Sequence, residues 1–239
     1  MITVRHNTER CALDCAQNTS MTTTLVVGGA GGIGGVCAEW FKTRGDDVVV
    51  LDLSLGHDAA DPSSVAEVLS SVDSLDVVVH AAGSVGRGGI EDLDLAEWNR
   101  VLNDNLTSAA VVTSQALPKM GKGGSVVLFS SVNGRHGGNK LSGPAYAVAK
   151  AGIIGLTRHL AKHEAARGVR VNCVAPGPVA TPMLDRLSSE EMTRLRETIP
   201  LGHITEPSEI AETVGWLCSP GAASVTGAVI DNNGGMWMG

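Results

Sequence analysis

The 239-residue sequence lacks a surplus of positive charge and has no long apolar run. Its formal net charge of −7 offers no electrostatic footprint for nucleic acid or for an anionic membrane. No apolar stretch approaches the roughly 20 residues that a membrane-spanning helix requires. We therefore expect neither a nucleic-acid partner nor a membrane partner.

Cysteine is sparse, and its spacing argues against a disulfide framework or a structural metal site. Cys11 and Cys15 resemble half of a zinc site, but no second Cys/His pair accompanies them. We predict no metal and a reducing, cytoplasmic compartment. The five cysteines, an odd and scattered set, are Cys11, Cys15, Cys37, Cys173 and Cys218.

Residues 1–20 differ in character from the rest of the chain. They mix Arg, His, Asn, Thr and Cys without a helical or strand period, and they lack the apolar centre of a secretory signal. We predict that 1–20 is a disordered extension, or the product of an upstream start codon. Hydrophobic residues make up 43% of the sequence, enough for the core of one domain over 21–239.

Short β-branched runs alternate with longer segments of helical period after residue 21. This alternation predicts an α/β fold whose parallel sheet is covered by helices on both faces, and right-handed crossovers make it doubly wound. The predicted strands are Leu25–Val27, Val48–Leu51, Val77–His80, Val126–Phe129, Val169–Val174 and Val229–Ile230. The predicted helices are Gly32–Arg44, Pro62–Ser70, Leu95–Leu117, Pro144–Arg167 and Pro207–Cys218.

The interval between Asp52 and Pro62 is too short for a crossover helix. Parallel strands normally need about a dozen or more connecting residues. We therefore predict an abbreviated third strand at the sheet edge near His57–Ala59, reached by a loop.

A glycine-rich turn joins the first predicted strand to the first helix. Glycines allow a tight turn and close approach of the backbone to a pyrophosphate, which the helix N-terminus then attracts. Two registers fit: Gly29, Gly31 and Gly34, or Gly28, Gly32 and Gly34. Because the run lies between an apolar strand and an amphipathic helix, it favours a Rossmann-type nucleotide site over a flexible loop.

Asp52 ends the second predicted strand and suggests which cofactor binds. A carboxylate there can accept hydrogen bonds from the adenosine ribose hydroxyls and repels a 2′-phosphate. Leu53, Ser54 and Leu55 follow it, without an Arg or Lys for NADP. We predict NAD as the cofactor; the alternative is an ordinary turn aspartate.

Tyr146 and Lys150 are four residues apart, on one face of a predicted helix. A neighbouring ammonium favours phenolate, so we expect Lys150 to lower the tyrosine pKa from about 10. Tyr146 would then donate a proton to a ketone or accept one from an alcohol. An exposed tyrosine with an incidental lysine is the alternative, but Tyr146 is the only tyrosine in the sequence.

With these motifs in order, the sequence resembles the compact branch of the short-chain dehydrogenase/reductase family from about Thr24 to Gly235. The resemblance implies a single Rossmann-type domain and hydride exchange between a nicotinamide cofactor and a secondary alcohol or ketone. The motifs that carry it are Gly28-x-x-x-Gly32-Ile33-Gly34, His80-Ala81-Ala82-Gly83, Asn105-Leu106, Ser130-Ser131, Tyr146-x-x-x-Lys150 and Pro176-Gly177.

The resemblance also implies four catalytic residues. Ser131 would hydrogen-bond the substrate oxygen, and Tyr146 would exchange the proton. Lys150 would tune Tyr146 and hold the nicotinamide ribose. Asn105 would anchor a water that links Lys150 to solvent, unless it only caps a kink.

A cradle of backbone and small side chains is implied for the cofactor. The Val179 backbone would bind the carboxamide of the nicotinamide, and Thr181 would lie near that carboxamide or near the phosphates. Thr181 could instead be a helix N-cap before Pro182. The predicted cofactor-binding residues are Gly28, Gly32, Ile33, Gly34, Asp52, Asp58, Ala59, Ala81, Ala82, Gly83, Tyr146, Lys150, Pro176, Gly177, Val179 and Thr181.

The sequence departs from the family pattern at several places. Val27 replaces the usual threonine, and His80 replaces the usual asparagine, where we expect a hydrogen-bonded core histidine. Asn133–Gly143 is a longer segment than usual and is predicted to form a substrate wall that favours a polar or anionic substrate, unless it is only a solvated loop. Pro182–Ile204 is predicted to cover the substrate, although its apolar stripe could equally pack on the domain.

Other activities occur on this fold. Enoyl reductases place Tyr and Lys farther apart, and epimerases and dehydratases usually need a longer chain. A non-catalytic NAD-binding module would have a broken Ser/Tyr/Lys set, whereas here the set is intact. We predict an NAD-dependent oxidoreductase acting on a small-molecule alcohol or ketone, assembled as a homotetramer or else a dimer.

Overall fold

Six parallel strands form the sheet of this computed structural model, which describes residues 22–239. The predictions for residues 1–20 lie outside the described residues. The strands are β1 (Thr23–Val27), β2 (Asp47–Leu51), β3 (Leu75–His80), β4 (Met120–Phe129), β5 (Arg170–Pro176) and β6 (Val229–Asn232). Their order across the sheet is β2-β1-β3-β4-β5-β6, so the predicted doubly wound, Rossmann-type α/β fold is confirmed.

Eight α-helices connect these strands in the described part of the chain. They are α1 (Gly32–Arg44), α2 (Pro62–Ser70), α3 (Leu95–Leu102), α4 (Ser108–Ala116), α5 (Val132–His136), α6 (Pro144–Glu164), α7 (Ser189–Glu197) and α8 (Pro207–Cys218). None of them is long and apolar enough to cross a membrane.

Local signals in the sequence set several helix bounds. Proline occupies the first turn of α2, α6 and α8, where its missing N–H costs no hydrogen bond. Asp61 caps α2 by accepting from the Ser63 N–H at 2.9 Å. Gly45 ends α1 in the left-handed region, with φ of 99°.

The alternation of side chains along β1 divides the core into two layers. Leu25 and Val27 pack on one face among α2, α4 and α6, whereas Val26 packs on the other face among α1 and α8. All three side chains are fully buried. Apolar residues on both faces of every central strand explain why these strands read as continuous hydrophobic runs.

The predicted third strand near His57–Ala59 does not exist, and β2 itself is the sheet edge. A 3₁₀ turn at Leu53–Leu55 and the left-handed Gly56 (φ 90°) reverse the chain, so that α2 begins at Pro62. The residues that remain between this reversal and Pro62 are too few to add a strand.

The predicted continuous helix Leu95–Leu117 is also wrong in detail. A π-helical turn at Asn103–Thr107 separates α3 from α4. Such turns insert an extra residue into the hydrogen-bond ladder and frequently occur at functional sites. Here the turn contains Asn105, the buried amide singled out from the sequence.

Candidate active site

A cavity of about 690 Å³ opens at the carboxyl ends of the strands. It lies where the strand order reverses between β1 and β3, the usual ligand position in open α/β sheets. Every site residue predicted from the sequence lines it. These residues are Gly28, Gly32, Ile33, Gly34, Asp52, Asp58, Ala59, Ala81, Ala82, Gly83, Asn105, Ser131, Tyr146, Lys150, Pro176, Gly177, Val179 and Thr181.

The glycine turn forms a floor in which backbone predominates over side chains. A Cβ on Gly34 would lie 2.1 Å from the Gly28 carbonyl oxygen, and a Cβ on Gly28 would lie 2.7 Å from the Ala82 nitrogen. Gly31 precedes α1 without a side-chain cap, and the first turn of α1 has no acidic residue. The open N–H groups and the positive end of α1 therefore fit the pyrophosphate of a dinucleotide.

Asp52 is held by three protein hydrogen bonds. Its Oδ2 accepts from the Ala30 N–H at 3.0 Å, and its Oδ1 accepts from the Ser54 N–H and Oγ at 2.9 and 2.7 Å. Partial burial opposes ionisation, but these bonds outweigh it and hold the pKa of Asp52 below its usual value. Asp52 thus caps a turn, as the alternative interpretation expects, and its residue also lines the cavity.

Ser131, Tyr146 and Lys150 meet on the opposite wall. Ser131 is the N-cap of α5, where its Oγ accepts from the Asn133 N–H at 3.2 Å. Tyr146 lies in the first turn of α6, and Lys150 follows one turn later. The Lys150 Nζ lies 5.5 Å from the centroid of the Tyr146 ring and donates to the Phe129 carbonyl at 2.9 Å.

The ionisation of Tyr146 differs from the sequence-based expectation. Burial raises its pKa above the ordinary value, which outweighs the opposite effects of the Ser131 hydroxyl and the Arg186 charge. Burial also lowers the pKa of Lys150 to about 8, which weakens the ammonium as a source of positive charge. The pKa of Tyr146 is therefore raised, where the sequence predicted that it would be lowered, because burial outweighs the charges around the phenol.

Asn105 is fully buried close to Lys150. Its Nδ2 donates to the carbonyls of Ser84 and Val101, both at 2.8 Å. Its Oδ1 has no partner among the described residues and faces Gly83, where a Cβ would lie only 2.3 Å away. The same Cβ would lie 3.5 Å from the Lys150 Nζ. An unpaired acceptor in this position suits the predicted water.

His80 ends β3 beneath the cavity, and only 2% of its surface is exposed. Its Nε2 has no hydrogen-bond partner among the described residues, so the expected fully bonded core histidine is not observed. Burial and the charge of Lys150 lower its pKa to about 3. His80 is therefore neutral at physiological pH.

The segment after β5 lines one side of the cavity. Thr181 precedes a 3₁₀ turn at Pro182–Leu184, but its hydroxyl donates to the Val179 carbonyl at 3.3 Å and does not cap that turn. Within the predicted cover, Met192 does not line the cavity. The apolar residues that do are Met183, Leu184, Leu187 and Leu195.

The predicted substrate wall Asn133–Gly143 contributes less positive charge than its composition suggests. Arg135 forms an ion pair with Asp231 at 2.7 Å, and Lys140 pairs with Glu91. Neither lines the cavity, although His136 and Asn139 do. The arginine of Pro182–Ile204 that lines the cavity is Arg186, and no local sequence signal distinguishes it from Arg194 and Arg196 in the same segment.

Comparisons with known proteins agree with this geometry. A family profile described as enoyl-(acyl carrier protein) reductase matches residues 57–237. An uncharacterized short-chain type dehydrogenase/reductase of Sinorhizobium fredii is 33% identical over 244 residues, which cover 89% of this chain and 96% of that protein. The 3-oxoacyl-[acyl-carrier-protein] reductase of Aquifex aeolicus is 34% identical over 241 residues, and the match covers 90% of this chain and 96% of that protein.

A solved structure shows the same arrangement of strands and helices. It is a small-chain dehydrogenase in complex with NADPH, with 25% identity and a TM-score of 0.83, and the match covers 91% of this chain and 99% of that one. The sequence similarity, the reversed strand order and the cavity at the reversal lead to one conclusion: this chain belongs to the short-chain dehydrogenase/reductase family.

Proposed function

We propose that the protein interconverts a secondary alcohol and a ketone by hydride transfer with NAD(H), using Tyr146 as the general acid/base. The observation that carries this proposal is the meeting of Ser131, Tyr146 and Lys150 on the wall of a cavity whose floor fits a dinucleotide. When bound, the nicotinamide accepts or supplies the hydride. The protein residues orient the reacting carbon and move the proton.

Each catalytic residue has a task that its surroundings support. The Ser131 hydroxyl donates a hydrogen bond to the substrate oxygen, where negative charge develops. Tyr146, whose pKa burial raises, holds its proton at neutral pH and donates it to a ketone. The Lys150 ammonium, fixed by the Phe129 carbonyl, binds ribose hydroxyls. Asn105 positions a water that returns protons to Lys150.

The choice of NAD over NADP rests on the charges at the adenosine end of the cavity. Asp52 and Asp58 line this end of the cavity. The lysine and the arginine that line the cavity are elsewhere: Lys150 lies on the wall with Ser131 and Tyr146, and Arg186 lies in the segment Pro182–Ile204. Two carboxylates disfavour a 2′-phosphate, whose charge would need a nearby cation. Because the similar small-chain dehydrogenase was solved in complex with NADPH, the preference of this protein for NAD over NADP needs direct measurement.

The first experiment is a parallel titration with NADH and NADPH, followed by nicotinamide fluorescence. We expect NADH to bind at least about tenfold tighter, the effect of one charged contact. In Asp52→Ser the affinity for NADPH should rise, whereas a merely loosened turn would weaken both cofactors. Equal or reversed affinities in the wild type would contradict the Asp52 argument.

The second experiment is Tyr146→Phe, which removes the proton donor and keeps the ring. We expect unchanged NADH affinity and a loss of turnover of about a hundredfold or more, the usual contribution of a general acid/base. A panel of ketones, polyols, hydroxy acids and sterols supplies the substrates. Normal turnover by the variant would refute the assignment of Tyr146 as the acid/base. If the wild-type protein binds the cofactor but turns over none of these substrates, a non-catalytic NAD-binding module is favoured.

Enoyl reduction is the second candidate, favoured by the description of the matching family profile. Against it, the one-turn spacing brings the Lys150 Nζ to 5.5 Å from the Tyr146 ring, which suits proton exchange at a carbonyl oxygen. Oxidation of NADH with a crotonyl thioester, and not with its 3-oxo counterpart, would favour enoyl reduction.

We also propose a homotetramer in the cytoplasm. Exposed apolar side chains on neighbouring helices support association: Leu95 on α3 is 66% exposed, and Val148 on α6 is 49% exposed. Cys37, Cys173 and Cys218 are all free thiols, which fits a reducing compartment.

A further inference from the structure

We propose that Arg186 binds a carboxylate on the substrate, so that the protein prefers secondary hydroxy acids or oxo acids over uncharged alcohols or ketones. This inference rests on the proposed function and adds the chemical class of its substrate. It starts from the position of Arg186, on the turn between Pro182–Leu184 and α7, where it lines the cavity.

The guanidinium of Arg186 is held in place by the backbone. Its Nη1 donates to the Leu141 carbonyl at 2.7 Å, and its Nε donates to the Met183 carbonyl at 3.1 Å. Arg87 steadies the same turn by donating to the Arg186 carbonyl at 2.9 Å. These bonds fix an otherwise flexible side chain, while Nη2 has no acceptor in the described part of the chain. A fixed fork with free N–H groups is well suited to carboxylate oxygens.

No carboxylate of the described residues lies within the 4.0 Å of an ion pair with Arg186. Glu191 is the acid whose charge acts on it, but its carboxylate is occupied by the Ser188 N–H at 2.8 Å in the capping box of α7. Partial burial and the charge of Arg87 both lower the pKa of Arg186, as expected for a cation that lacks a counter-charge. The guanidinium nevertheless remains charged at physiological pH.

The surroundings of Arg186 match a compact acid. Between Ser131 and Tyr146, and between Thr181 and Leu195, the cavity lining contains no Asp or Glu. Arg186 and Tyr146 line the same cavity, and the charge of Arg186 favours the phenolate form of Tyr146. Leu141, Leu184 and other apolar residues supply contacts for a carbon skeleton. A single guanidinium balances a singly charged carboxylate better than a phosphate dianion.

The test compares two probes of the same shape, cyclohexanecarboxylate and its uncharged carboxamide. Each is titrated by calorimetry into the NADH-saturated protein, with cyclohexyl phosphate as a third probe. We expect the wild type to prefer the carboxylate by at least about tenfold, the effect of one charge-assisted bond. Arg186→Gln should abolish the preference while leaving the carboxamide affinity unchanged, and Arg186→Lys should restore part of it.

Arg194→Gln is the matched control, because it removes the same charge from a 77% exposed side chain of α7. It should keep the full preference. Equal affinities in the wild type, a preference that survives in Arg186→Gln, or no binding of either probe would overturn the proposal. If Arg186→Gln weakens the binding of the carboxylate and the carboxamide equally, Arg186 only holds the segment Pro182–Ile204 in place. If the wild type binds cyclohexyl phosphate more tightly than the carboxylate, the site is not a carboxylate site.

A turnover measurement separates this inference from the proposed function. With 3-oxocyclohexanecarboxylate and its amide, Arg186→Gln should raise KM for the acid and change kcat little, whereas Tyr146→Phe should lower kcat for both. A carboxylate preference in binding without Tyr146-dependent turnover would refute the proposed function alone. Tyr146-dependent turnover with equal KM for the acid and for its amide would refute this inference alone.

Discussion

Individual residues at this site behave as their burial dictates, even where their spacing suggests otherwise. Tyr146 and Lys150 have the spacing for direct pairing, but both lose solvent, so the pKa of the phenol rises and that of the ammonium falls. Because desolvation opposes charge on either group, the resting state at neutral pH is a protonated tyrosine. In the proposed reaction, this protonated form is the one that donates a proton to a ketone.

The pH profiles of the two directions should therefore be opposite. Reduction needs the protonated phenol, so its rate should fall only at alkaline pH. Oxidation needs the deprotonated form, so kcat/KM for an alcohol should keep rising from pH 7 to above pH 9, since the pKa of Tyr146 lies above its ordinary value of 10. Steady-state rates across this range check the prediction, and an oxidation rate already constant from pH 6 to 9 would contradict it.

His80 should make the folded state sensitive to acid. Its pKa falls from 6.5 to about 3 on folding. At pH values between these two, the unfolded chain binds more protons than the folded one, so the free energy of unfolding decreases as the pH is lowered. Between pH 7 and pH 5 we expect a loss of about 2 kcal/mol that His80→Asn abolishes.

Urea unfolding of each variant at both pH values measures this loss. The comparison is made within each variant, so any constant packing cost of the substitution cancels. His203→Asn, at a largely exposed side chain, serves as the control and should retain the wild-type loss. An unchanged loss in His80→Asn would show that another group carries the acid sensitivity.

At the scale of elements, the walls of the cavity are positioned by contacts between distant segments. Arg135 of α5 donates to both carboxylate oxygens of Asp231 in β6, at 3.0 and 2.7 Å. The two side chains are only 14% and 19% exposed, so this bidentate pair anchors α5, whose N-cap is Ser131. The ion pair thereby ties the segment predicted as a substrate wall to the last strand of the sheet.

We expect the Arg135–Asp231 pair to couple strongly in a double-mutant cycle. Arg135→Met and Asp231→Asn each leave a partly buried partner without its counter-charge, so the coupling should be about 1–3 kcal/mol. Thermal or urea unfolding of the four proteins gives the value. The exposed pair Arg194–Glu190 provides the matched cycle, where no measurable coupling is expected. Equal coupling in the two cycles would argue against an anchoring role.

At the scale of the whole molecule, the folded chain leaves apolar side chains where a second copy can cover them. Leu95 and Val148 are on α3 and α6, helices that pack against each other, and both side chains are exposed. Burying such groups between subunits is favourable in proportion to the apolar area removed from water. These surfaces flank the active-site elements, so assembly would also steady the site.

Light scattering should accordingly give four times the 24.6 kDa chain mass. Val148→Glu should lower this mass, because a charge in an apolar interface loses its hydration. Leu55→Glu, a comparable change at a 58% exposed leucine near the sheet edge, should not. A wild-type mass equal to one chain would contradict both the tetramer and the dimer.

The parts of the fold and the site that the sequence alone determined are those that depend on near neighbours. Helices α1, α2 and α8 begin and end at the predicted residues, because proline, glycine and capping side chains act within one turn. The glycine turn and the Tyr146–Lys150 spacing are likewise local, since a strand end and a helical repeat fix them. Local signals thus set the geometry within each motif, whereas the order of the strands brings all the predicted site residues to one cavity.

Only the tertiary structure decided which distant segments meet. It removed the edge strand near His57–Ala59, joined Arg135 to Asp231 across 96 positions, and brought Arg186 into the cavity. It also reversed the expected pKa shift of Tyr146. The physical reason is common to these cases: desolvation and charge interactions act through space, so they depend on which side chains the folded chain brings together.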